Sequence, residues 1–283
     1  MNTVVIYLAL AVALVAPSAW AQDDVAGEGD TPGVVAPLLD DAQRFFYNGR
    51  YDAADALTLA LCSPDVEGLA ACELRSSTLL FQIKRALAGQ TDRQKALKAC
   101  VPCATWLGSF RAVISAAQAV ARARLQAMPD DDATRFLLGK IDLNHVWLHL
   151  GVLGRKTGWG EYWEARRSLD AVLERNADNI RARVARAWID YIVDTQMPRG
   201  TRWVLGGGNK KRGLSAVREA ASAAADRYIR AEAGFALWDM QVREKNTPGA
   251  VETARELASV FPENEELRKF LALHAPQVEA GRP

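Results

Sequence analysis

The sequence predicts an all-α protein: paired antiparallel helices arranged as an α-solenoid or a curled helical bundle. Three observations predict it. Apolar residues recur at three- and four-residue intervals through most of the chain. Alternating, strand-like segments are nearly absent. Glycine, proline and Asn/Asp clusters cut the pattern into pieces of helical length.

The elements follow in order. The N-terminal "MNTVVIYLALAVALVAPSAWAQ" is an uncharged apolar run ending in Ala19-Trp20-Ala21, the pattern of a secretory signal peptide over residues 1–21, with cleavage expected before Gln22. It is shorter than the roughly 20 apolar residues a spanning helix needs, so no transmembrane anchor is expected after cleavage. Residues 22–33, "QDDVAGEGDTPG", are acidic with little to bury and are expected to form a flexible leader. The rest, 34–283, is read as one helical-repeat domain. "LLDDAQRFFYNGRYDAADALTLAL" gives helix, turn at Asn48-Gly49, helix. "GLAACELRSSTLLFQIKRALAG" and "RQKALKAC" give the next pair. "TWLGSFRAVISAAQAVARARLQAMP" is one long helix stopped at Pro129. "DATRFLLGKIDLNHVWLHLGVLG" and "EYWEARRSLDAVLERN" follow, then "NIRARVARAWIDYIVDTQM" up to Pro198, and two final helices with a turn at Thr247-Pro248-Gly249 and a break at Pro262.

Counted from Ala231, Leu237 falls at position seven, Ala250 at twenty and Pro262 at thirty-two. These offsets resemble the tetratricopeptide repeat, in which a small residue near position twenty lets the second helix pack on the first. "YNGRYDAADALTLALCSP", with Ala54 in the same role, and Ala165 ahead of "LERNADN" resemble it more loosely. The resemblance implies a degenerate, exported tetratricopeptide-like array. "LGGGNKKRGLSAVREAA" is also similar to a glycine turn in the periplasmic T-components of TRAP transporters.

That glycine stretch, "RWVLGGGNKKRGL", is the one segment resembling a nucleotide-binding motif. It lacks the spacing of G-x-x-x-x-G-K-[ST], since Lys211 stands where the second glycine is required, and no buried strand precedes it. Two readings remain: a weak anion site of Asn209, Lys210 and Lys211 at a helix N-terminus, or a joint between helices that needs positive φ. The joint is the simpler reading.

Four cysteines in an exported chain point to disulfides. Cys62 and Cys72 flank the turn after the first helix pair, and Cys100 and Cys103 flank the turn after the second, so Cys62–Cys72 and Cys100–Cys103 are expected as local staples. "CVPC" also fits a redox centre at a helix N-terminus, but a thioredoxin-like site requires a βαβ unit. Asp142, His145 and His149 share a helix face. The Glu of H-E-x-x-H is missing, so interface histidines are expected and no metal is assigned.

Seven tryptophans follow the signal segment. Most are expected in the core, yet a solenoid commonly offers a concave surface rich in aromatic and Arg anchors. The candidate groove is Trp159, Tyr162, Trp163, Arg166, Trp188 and Tyr191, with Arg167, Arg181, Arg183 and Arg186 as possible rim residues. A net charge of +1 does not suit nucleic acid. No triad, carboxylate pair or nucleotide signature emerges, so no catalytic residue and no cofactor is assigned. The sequence therefore points to an exported interaction module holding a protein or peptide partner. The alternative is a carrier for a small apolar ligand in an aromatic-lined cavity.

Overall fold

A computed structural model describes residues 39–63, 65–155, 157–197, 199–223 and 226–280. The expected signal peptide and leader lie outside the described residues. Helices dominate, and no strand occurs among the described residues. In chain order they are α1 (Leu39–Tyr47), α2 (Tyr51–Leu61), α3 (Leu69–Ala86), α4 (Arg93–Ala99), α5 (Cys103–Ala127), α6 (Asp132–Val146), α7 (Trp159–Arg175), α8 (Ile180–Gln196), α9 (Arg199–Arg202), α10 (Lys210–Ala223), α11 (Arg227–Arg243), α12 (Thr247–Val260) and α13 (Glu265–Ala280).

The helix starts are written locally. Asp131, Asn179, Asp226, Asn246 and Asn264 each turn a side-chain oxygen onto a backbone N–H of the first turn of α6, α8, α11, α12 and α13. Gly49 supplies the positive φ that reverses the chain between α1 and α2. Ala54, Ala165 and Ala250, the small residues singled out in the sequence, are fully buried where neighbouring helices approach.

Packing follows chain order, each long helix lying against the next. Contacts also skip a long helix, passing α5 between α3 and α6 and α10 between α8 and α11. The array therefore has an inner row, α1, α3, α6, α8 and α11, and an outer row, α2, α5, α7, α10 and α12. The inner row closes on itself. Tyr47 of α1 stacks on Tyr228 and Phe235 of α11, with ring centroids 5.8 and 5.6 Å apart, and packs against Phe261. Asn264 Nδ2 donates to Tyr47 O at 2.7 Å, and Glu263 N donates to Asn48 Oδ1 at 3.1 Å. One apolar cluster accordingly joins the first helices to the last, through Phe46, Tyr47, Phe235 and Phe261. The expected alternatives resolve to a curled bundle.

Closure fills the concave side. At its centre Lys140 Nζ of α6 meets Glu232 Oε1 of α11 at 2.6 Å, and Arg181 Nε of α8 lies 3.5 Å from Glu232 Oε2. Glu73 of α3 takes hydrogen bonds from Asn144 Nδ2, at 3.2 Å, and Ser77 Oγ. All of these groups are buried. Burial pushes Glu73 up to about 7, against the pull of Lys140 and Arg181.

The periodicity misses one feature. The helix expected to run through "VWLHLGV" ends as α-helix at Val146 and continues as a π-helical turn, Trp147–Val152. Its last carbonyls are held from α4: Arg93 Nη1 donates to Gly151 O and Val152 O at 2.6 and 2.9 Å. That partner is distant in sequence, so helical spacing alone could not reveal it.

Candidate functional site

The glycine stretch is a joint whose anion is already in place. Gly206 and Gly207 have φ of +78° and +73°, which turn the chain from α9 towards α10. The loop is clamped from α7. Tyr162 Oη donates to Leu205 O at 2.8 Å, and Arg166 donates from Nη1 to Leu205 O at 2.9 Å and from Nη2 to Gly206 O at 2.8 Å. Gly208 lies against the α8 backbone so closely that a Cβ would stand 2.6 Å from Asp190 O and from Asp194 N. Asn209 then caps α10, its Oδ1 accepting from Arg212 N at 2.9 Å. The N–H of Lys210, which a bound phosphate would need, donates to Asp194 Oδ2 at 2.9 Å. The chain's own carboxylate thus occupies this helix N-terminus, and Lys211 stands exposed beside it.

A cleft of about 440 Å³ opens next to the joint, between the ends of α8 and α11 and the start of α10. It is lined by Tyr191, Asp194, Arg202, Lys210, Arg243 and Glu244, with Thr195 and Gln196 at its edge. Each charge has a partner. Arg202 Nη1 meets Asp194 Oδ1 at 2.6 Å, Lys210 Nζ meets Glu244 Oε2 at 2.6 Å, and Tyr191 Oη donates to Glu244 Oε1 at 3.1 Å. Arg243 is paired with Asp239 behind the cleft wall, and its guanidinium lies over the Trp188 ring. The lining holds three cations against two carboxylates. Directly after Arg202, Trp203 and Val204 project into solvent, 78% and 52% exposed.

The aromatic groove expected from the sequence does not form as a surface. Trp188 and Tyr191 are buried at 2% and 1% exposure, and Tyr162 is buried as well. The reason is topological: α8 belongs to the inner row and is covered by α7, α10 and α11. Trp188 stacks with Trp147 at 6.3 Å and packs on Tyr191 at 5.5 Å. Trp163 is half-buried against Tyr162, while Trp159 remains exposed at the start of α7. Arg166 serves the loop clamp. Of the rim arginines, Arg181 is buried over Phe136 and against Glu232, Arg183 pairs with Glu219, and Arg186 pairs with Asp170 and Asp190. The lining carboxylates Asp194 and Glu244 and the exposed Trp203 were not singled out in the sequence. Asp190 and Asp194, four residues apart on α8, were the available signal, because such a pair faces one neighbour.

Asp142, His145 and His149 lie on one stretch but do not converge. Buried Asp142 accepts from Gln118 Nε2 at 2.6 Å. Burial, and then the neighbouring Glu164, push its carboxyl up to about 8, whereas Arg122 holds Glu164 below its ordinary value. His145 and His149 stack with ring centroids 4.5 Å apart, and His145 Nε2 is 3.8 Å from Glu161 Oε1. Burial lowers both, His149 to about 4. Among the described residues no group of three metal-ligating side chains comes together. The cysteines meet in the expected pairs, Cys62 with Cys72 and Cys100 with Cys103. No single helix among the described residues is long and apolar enough to cross a membrane.

Comparison with family models, with curated proteins and with solved structures returns no match.

Proposed function

We propose that this protein is an exported helical interaction module that holds a peptide segment of a partner at the lip formed by Trp203, Val204 and the adjoining cleft. The observation that carries this reading is the exposure of Trp203, a residue type that dominates binding hot spots, beside a cleft where Arg202 and Lys210 are held by partly exposed ion pairs. A segment combining an apolar side chain with a carboxylate fits both halves. The apolar group would lie on Trp203 and Val204, and the carboxylate would compete with Asp194 and Glu244 for Arg202 and Lys210. Export is supported by the N-terminal pattern and the paired cysteines. The carrier reading has less support, because Trp188 and Tyr162 are buried among their neighbours and the cleft that Tyr191 lines is otherwise polar and charged.

A photoreactive amino acid placed at position 204, which leaves Trp203 intact, in protein expressed in its native envelope, tests the proposal. The expected result is one discrete cross-linked adduct that weakens in high salt and is missing when the same probe replaces exposed Leu59 on α2. Equal labelling from both positions, or none from 204, overturns it.

A further inference from the structure

The two cystines occupy unlike settings. Cys62–Cys72 ties the end of α2 to α3 across a ten-residue separation, and Cys72 lies within the main apolar cluster. Cys100–Cys103 spans three residues, a turn that the hydrogen bond from Cys103 N to Cys100 O, 3.2 Å, already closes. A bridge across so short a loop removes little freedom from the unfolded chain. In the folded chain it joins α5 to α4, which ends just before Cys100, contains no fully buried residue and packs on the main cluster only partly, through Ala96 and Leu97.

Its surroundings suit chemistry instead. The tip between the cysteines is exposed, with Val101 at 90% and Pro102 beside it. Cys100 is half-buried, whereas Cys103 is fully buried and forms the first residue of the 25-residue α5. No side chain caps that helix, so the partial positive charge of its N-terminus is left for the sulfur there. A helix N-terminus favours the thiolate of a cysteine released there, which makes that sulfur the better leaving group of the two. Cys100 is the partly exposed member of the pair, and Cys103 is buried at a helix end.

We propose that Cys100–Cys103 is a thiol–disulfide exchange site acting on exported dithiols, while Cys62–Cys72 is structural. The thiolate of an incoming dithiol attacks Cys100 Sγ. A mixed disulfide forms, the bond between Cys100 and Cys103 breaks, and Cys103 leaves as thiolate. The dithiol's second thiolate then attacks its own sulfur in the mixed disulfide and expels Cys100. The substrate ends as a disulfide, and Cys100 and Cys103 as two thiols. Two electrons and two protons have passed to the protein. Val101 offers the incoming chain an apolar contact at the point of attack.

The test uses the mature protein with both bridges closed, exposed to dithiothreitol and to glutathione redox buffers, with alkylation and peptide mass mapping to locate free thiols. Cys100 and Cys103 are expected to react at least about tenfold faster than Cys62 and Cys72, and to open in glutathione buffers that leave Cys62–Cys72 closed. Simultaneous opening, or earlier opening of Cys62–Cys72, overturns the proposal. A second measurement reads the direction of attack. C103S is expected to accumulate glutathione on Cys100, and C100S to leave Cys103 unlabelled; equal labelling of the two variants overturns it. Where a variant fails to fold, the wild-type rates decide.

Discussion

Two lysine–glutamate pairs share one distance and differ in everything else. Lys140 Nζ to Glu232 Oε1 and Lys210 Nζ to Glu244 Oε2 are both 2.6 Å. The first pair is 0% and 2% exposed at the centre of the curled bundle; the second is 44% and 27% exposed at the cleft. Removing one partner of a buried pair strands a charge in a low-dielectric interior, whereas water replaces a lost partner at the surface. The contact is the same, and burial decides its value. The central pair fixes how α6 and α11 meet, while the cleft pair is free to trade partners.

The largest expected effect breaks the central pair. Lys140→Met leaves Glu232 with Arg181 alone and brings Glu73 no cation in exchange, and should cost about 3–5 kcal/mol. Urea unfolding would read it, and Glu232→Leu added to Lys140→Met should not restore the loss, because buried Arg181 then loses the carboxylate it faces. A cost below about 1 kcal/mol for Lys140→Met would mean that the centre is hydrated and the comparison fails.

The next effect tests the wall between the two regions. Gly208→Ala places a Cβ against backbone atoms of α8, which cannot rotate away as a side chain would, and overpacking of this kind costs about 1–3 kcal/mol. Gly160→Ala in α7 is the control, since nothing lies within 4 Å of its added Cβ and its φ is not positive. Helix propensity there favours alanine by about 0.5–1 kcal/mol. Thermal melts of the two variants should move in opposite directions.

Much of this fold was legible. Periodicity gave the helices, small residues marked the close approaches, and the cysteine positions gave the pairs. The buried polar centre was not. Lys140, Asp142 and Asn144 of α6 are residue types usually met on a solvated surface, yet all three are buried. They point to different helices: Lys140 to α11, Asp142 to Gln118 of α5, and Asn144 to Glu73 and Ser76 of α3. A helix surrounded on all sides has no polar face, and no local count of residues reveals that it is surrounded. The same cause removed Trp188 and Tyr191 from the candidate groove.

The buried acids make stability depend on pH in a direction opposite to that of surface carboxylates. Glu73, Asp142 and Asp239 are pushed up to about 7, 8 and 6, chiefly by burial. A carboxyl whose folded value is raised gives stability that is fully present below its unfolded value and lost as pH rises through the folded one. Stability should therefore increase on acidification from about pH 8 to about pH 6.5, by up to ~1.4 kcal/mol per pH unit for each proton taken up. His145 and His149, lowered by burial, work the other way, and their contribution is lost as pH falls below the ordinary histidine range. The rise should flatten there. Urea midpoints across this range are the check, and Asp142→Asn should remove part of the slope. A flat profile would show that these carboxyls are hydrated in the folded state.

The smallest expected effect on stability is also the sharpest test of the cleft. Lys210→Met removes the ammonium but not the backbone N–H, so Asp194 keeps its bond to the start of α10 and its pair with Arg202. Glu244 keeps the Tyr191 hydroxyl. With both partners of the lost pair reached by water, the change should lie within about 0–1 kcal/mol of wild type. Trp203→Ala, which removes a ring already in solvent, should be as mild. Both variants should nevertheless lose the cross-linked adduct probed from Leu205's neighbour Val204, because binding uses the charge and the ring that folding does not need. A loss of more than about 2 kcal/mol from Lys210→Met would place the cleft among the elements that hold the bundle together, with the same standing as the Lys140 centre.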